Sequence, residues 1–154
     1  MAKRKQTVWN ETETAARNAR RELPGIAADY FQHGRRLFGG EASPAALHRF
    51  RLRSKRFRYT LELFRACYGP TFEKRLQSLR QIQQFLGEIN DCDATRRIVA
   101  AGMPKASRLK LRIERFLEKR TQGRTDACRR YWREVFDASG QESAWRNYLA
   151  RSRS

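Results

Sequence analysis

The chain has 154 residues, 40% hydrophobic and 11% aromatic, which suits one domain with its own core. Its 34 Lys and Arg against 16 Asp and Glu give a formal charge of +18. That is far beyond the roughly 2–8 charges that keep a small domain soluble, so it points to an anionic partner. Three scattered cysteines, Cys67, Cys92 and Cys128, with no CxxC pair, exclude a disulfide framework and a zinc finger.

The apolar spacing is helical throughout, with no alternating strand pattern. A first helical region is expected from about Thr7 to Phe38, with a kink or break at Pro24-Gly25 and an end at Gly39-Gly40. A second helix starts at Ser43-Pro44, a cap followed by a first-turn proline, and runs to near Tyr68. Leu47, Phe50, Phe57, Leu61 and Phe64 form its apolar stripe. The third helix spans about Thr71 to Asn90, with Phe72, Leu76, Leu79, Ile82, Leu86 and Ile89 at steps of three and four.

Asn90-Asp91-Cys92-Asp93 then reads as a corner that caps a short helix over about 93–101. A long helix over about 105–137 has Leu109, Ile113, Phe116, Leu117, Tyr131, Trp132, Val135 and Phe136 as core candidates. Its polar stretch Glu118–Asp126, with Gly123, leaves open whether the helix continues there. Trp145 and Leu149 suggest a short terminal helix, and Arg151–Ser154 a loose tail. The expected fold is all-α: an antiparallel four-helix bundle of long helices with additional short ones, in a single domain over 1–154. No apolar run approaches the roughly 20 residues of a membrane span, and the basic N-terminus lacks the apolar segment of a signal peptide, so the expected location is cytoplasmic.

The second helix carries the chemistry. At about 100° per residue, with His48 at zero, Arg51 falls near 300°, Lys55 near 340°, Arg58 near 280° and Tyr59 near 20°. These share one flank, beside an apolar stripe at about 160–260°. The row from His48 to Arg58 is about 15 Å long, a geometry suited to a linear polyanion. Like charges at such spacing destabilise a free helix, and a bound phosphate chain would relieve that repulsion while releasing counterions. Glu62 continues the flank and is expected to pair with Arg58.

The run His48-x-x-Arg51-x-x-x-Lys55-Arg56-x-Arg58-Tyr59, followed by Leu61-Glu62-Leu63-Phe64, resembles the hallmark helix of the CHAD family, the conserved histidine α-helical domain. Leu79-Arg80-x-Ile82-Gln83-x-x-Leu86-Gly87-Glu88-Ile89-Asn90-Asp91 resembles the family's next helix. The resemblance covers about 26–137 and is clearest over 44–100. It implies a helical domain that binds inorganic polyphosphate through basic side chains lining a channel, in company with polyphosphate granules. By position it marks His48, Arg51, Lys55, Arg56 and Arg58 as ligand-binding, with Arg80 where the family tends to have Lys. Family members usually contain two related halves facing across the channel, whereas this sequence shows one basic row. Either one open surface binds the polymer, or two chains pair as a homodimer to rebuild the channel.

No catalytic constellation accompanies the row: His33 has no obvious partner, and Asp91 and Asp93 read as caps, not as a metal pair. The expectation is a binder with no catalytic residue, cofactor or metal. Arg129, Arg130 and Arg133 could extend the basic surface, while Trp132 reads as core. The competing reading is sequence-nonspecific binding of an RNA or DNA backbone, which the charge fits equally well.

Overall fold

A computed structural model describes residues 9–151. Among them are five α-helices and no strand: α1 (Ala15–Gly39), α2 (Pro44–Leu63), α3 (Phe72–Gly102), α4 (Arg108–Tyr131) and α5 (Gln141–Leu149). A 3₁₀ turn, Arg65–Cys67, follows α2, and a π-helical turn, Trp132–Phe136, follows α4. The expected start at Thr7 and most of the loose tail lie outside the described residues.

The N-cap of α1 is Thr14, whose hydroxyl accepts from the Arg17 amide. Asn18, fully buried, gives its amide to the Asn10, Glu13 and Thr14 carbonyls and fastens the incoming segment to the helix. α1 continues through Pro24 without a break. Proline inside a helix costs about 3 kcal/mol, and the burial of Leu23 and Ala27 on either side of it opposes that cost. Where the sequence left a kink or break open, the helix is uninterrupted.

α2 begins as expected, with Ser43 accepting from the Ala46 amide and Pro44 in the first turn. It ends at Leu63, short of Tyr68; the chain turns there, and the Tyr68 hydroxyl donates to the Leu149 carbonyl at 2.9 Å. The larger correction concerns α3. It runs unbroken through Asn90-Asp91-Cys92-Asp93, so there is no corner and no separate helix at 93–101. Cys92 extends the buried stripe one step beyond Ile89, and α4 packs along α3 in the largest helix–helix interface of the fold. Within this helix Asp93 pairs with Arg97 at 2.7 Å, one turn on, in place of the capping role expected for it.

α4 is likewise continuous through Gly123, but it starts at Arg108, not 105. Leu109 and Phe116, expected in the core, are 58% and 63% exposed, and Val135 is half exposed. The periodicity there is real, but no described helix covers those faces. Trp132 is core as expected, at 1%. It meets Phe31, Phe38, Phe50, Tyr30 and Phe136 in one aromatic cluster that joins α1, α2 and the π turn. The π turn, closed by the Asp137 amide donating to the Trp132 carbonyl at 2.7 Å, carries the chain back to α1, where Arg35 grips Asp137 with two hydrogen bonds.

The cysteines differ in their surroundings. Cys128 is fully buried between helices, and burial pushes its thiol up to about 12 from an ordinary 9.0. The neutral thiol is the form the fold accepts. Its contribution to stability is therefore complete below pH 9 and declines as the pH rises toward 12. Only the thiolate attacks electrophiles. Alkylation of the native protein at pH 8, followed by peptide mass mapping, is expected to label half-buried Cys67 first and Cys128 only after denaturant is added.

Candidate polyanion site

The roll of α2 about its axis sets the site. Leu47, Phe50, Phe57 and Leu61 are buried, and so is Ser54, whose hydroxyl meets the Tyr30 hydroxyl of α1 at 2.8 Å. A buried hydroxyl pair of this kind is costly to break, so it fixes one rotational setting. With the stripe turned inward, the flank bearing His48, Arg51, Lys55, Arg58 and Glu62 lies against α3, which packs on α2. His48 is exposed, while Arg51, Lys55 and Arg58 are half-buried.

His48 and Arg51 form one wall of a groove of about 210 Å³ between α2, α3 and α4. Leu86 and Ile89 line it from α3, together with Asn90 of the second motif. Asp93 and Arg96 follow from the part of α3 that the sequence suggested was a separate element. Glu118 and Gln122 come from the polar stretch of α4. That stretch is thus a groove wall and not a break. Asn90 was visible in the motif. Arg96 and Gln122 were not, because only the unbroken α3 and its pairing with α4 bring them beside His48.

The two ends of the row differ electrostatically. His48, Arg51 and Lys55 make no ion pair among the described residues. At the other end Arg58 pairs with Glu62 at 2.6 Å, as the spacing predicted. Arg80 reaches the same Glu62 at 3.5 Å and pairs with Glu73, which also binds Arg65. The hydrogen bond from Arg80 holds the Glu73 carboxyl below the usual carboxylate range, so it stays ionised. Arg80 is thus brought to the row, but already clamped.

Arg56 is not brought in: it is exposed on the adjacent outward face, near 80° from His48 at about 100° per residue. Tyr59 is half exposed, and its ring lies under the Arg58 guanidinium at 4.7 Å. His33 does have a partner, since its Nδ1 lies 2.7 Å from the Asp29 carbonyl. Arg129 pairs with Asp126, and Arg133 donates to the Phe38 carbonyl; both serve local structure away from the row. No group of three or more His, Cys, Asp or Glu side chains is placed to hold a metal among the described residues.

The two sequence motifs fall on neighbouring helices: the basic row on α2, and the segment ending in Asn90-Asp91 on α3, which packs against it. The family model of the CHAD domain matches residues 2–100. The chain belongs to the CHAD family. The match takes in α1, α2 and nearly all of α3, and so includes every candidate residue from His48 to Arg80. No curated protein and no solved structure matches the chain. No helix among the described residues is long and apolar enough to cross a membrane.

Proposed function

We propose that this CHAD domain binds inorganic polyphosphate along the α2 row and does so without catalysis. The CHAD family is associated in general with polyphosphate binding. The observation that carries the reading for this chain is the stretch His48, Arg51 and Lys55, none with a carboxylate partner among the described residues, of which His48 and Arg51 line the groove and Lys55 follows one turn on. Guanidinium and ammonium groups with no carboxylate partner are ready to meet phosphate oxygens. Arg58 and Arg80 would join once a polyanion competes with Glu62 and Glu73, and Arg56 would meet only a ligand that wraps onto the outer face. His48, if protonated, would add a charge beside a phosphate. A cytoplasmic setting with polyphosphate granules fits this reading.

Calorimetric titration of long-chain polyphosphate at near-physiological salt, with single-stranded RNA as competitor, tests the reading. Tight binding that resists RNA supports it. Equal competition per phosphate would make nucleic acid the partner. Two chains that each bring one row would rebuild a two-sided channel; light scattering with and without polyphosphate tests that, and a monomeric mass in both conditions rules it out.

The clamp at the far end gives a smaller prediction. Glu73→Gln removes one negative charge and loosens Arg80. An exposed ion pair is worth about 0.2–1 kcal/mol, so polyphosphate should bind roughly 1.4- to five-fold more tightly. Unchanged or weaker binding would mean that Glu73 positions Arg80 for the ligand and does not compete with it.

A further inference from the structure

A second basic row lies on α4, where neither motif reaches. Arg108, Arg112, Arg115 and Lys119 recur at steps of four, three and four, and all four are exposed. On a helical wheel with Leu109 at zero they fall at about 240–300°, and the buried Lys110, Leu117, Thr125 and Cys128 at about 80–160°, on the opposite side. The four cations therefore form the outermost ridge of the α3–α4 hairpin, about 16 Å long.

Ten arginines elsewhere have a carboxylate within 4 Å among the described residues. No ridge cation does. The nearest acids in sequence, Glu114 and Glu118, lie at about 140° and 180° on the same wheel, and Glu118 faces the groove instead. The ridge also works against the fold. Like charges at these steps repel. The first turn of α4 contains no acid, and a cation there opposes the helix dipole. Packing gains nothing from these side chains, whereas an anion bound along them would relieve both costs.

We infer that the Arg108–Arg112–Arg115–Lys119 ridge is a second phosphate-polyanion site, on a different face from the α2 row, so that one chain can hold two polymer strands and bridge them. The inference rests on the reading of the domain as a polyphosphate binder. It adds a consequence: a bivalent cationic protein cross-links long polyanions and condenses them, since each second contact is made at high effective concentration.

Two variants and two probes test it. One variant is Arg108→Gln/Arg112→Gln/Arg115→Gln/Lys119→Gln, which retains good helix formers on an exposed face. The other is Arg51→Gln/Lys55→Gln. Circular dichroism confirms that each is folded. A linear oligophosphate no longer than one row is titrated by calorimetry and counted by native mass spectrometry. Long polyphosphate is followed by turbidity. The expected result is two oligophosphates on the parent and one on each variant, with turbidity from the parent alone. One oligophosphate on the parent, or two on the ridge variant, overturns the second site while leaving polyphosphate binding intact. No binding to the parent at all overturns the polyphosphate reading itself, and the inference with it.

Discussion

Trp132→Ala is expected to cost about 3–5 kcal/mol of folding stability, the largest loss from any single truncation in this fold. The indole is 1% exposed and packs against five aromatic rings from α1, α2 and the π turn. Its removal leaves a cavity where α1, α2 and the π turn meet, and such a site collapses poorly. Set against the roughly 5–15 kcal/mol that hold an ordinary domain together, this loss leaves a protein that is partly unfolded at modest temperature. Urea denaturation followed by circular dichroism measures it. A change under about 1 kcal/mol would show that the cluster repacks and that the π turn is not fastened by Trp132.

The same contact makes a second demand, on the other side of the ring. Gly34 is buried beneath the indole, and a Cβ placed on it would lie 2.1 Å from both Cζ2 and Cη2 of Trp132. No side chain fits there unless the indole moves. Gly34→Ala should therefore destabilise by the 1–3 kcal/mol typical of overpacking, and the loss should shrink when Trp132→Leu is added. Residues in contact couple by about 0.5–3 kcal/mol in such cycles.

These two residues also show what could be read from the sequence and what could not. Trp132 stands one step from Tyr131 and three and four from Val135 and Phe136, so its core role was legible in the spacing. Gly34 sits within an ordinary helical run. Its reason for being glycine is a ring 98 residues away in the chain, and no local pattern reports that. The α2 row belongs to the first kind. Its stripe, its cap, its flank of cations and the Arg58–Glu62 pair all follow from one helix considered alone. The groove belongs to the second. Arg96 and Gln122 share a groove with His48 only because α4 packs along α3 beyond Asn90, where four polar or small residues look locally like a corner. Tertiary packing overrode local preference there. On α4 the error ran the other way. Leu109 and Phe116 have the spacing of core residues, but burial needs a neighbour, and none of the described helices supplies one.

Loss of the unpaired end of the α2 row should have the largest effect on binding. Arg51 and Lys55 are half-buried and have no carboxylate partner among the described residues, and Arg51 lines the groove. A phosphate meeting them gains two charge-assisted contacts, and none has to be broken first. If each is worth about 1–1.5 kcal/mol at a half-exposed position, Arg51→Ala/Lys55→Ala should weaken polyphosphate binding at the α2 row roughly 30- to 150-fold. The dependence on salt should fall with it. Each phosphate contact on a single-stranded polyanion contributes about 0.7 to the logarithmic slope, so losing two should lower the slope by about 1.4. Arg49→Ala/Arg130→Ala is the matched control: it removes the same two charges from exposed positions off the row. A polyanion attracted only by the net charge of +18 would respond equally to both variants. A ligand seated on the row responds to the first alone, because direct contact, and not the distant field that salt screens within about 8 Å, then holds it.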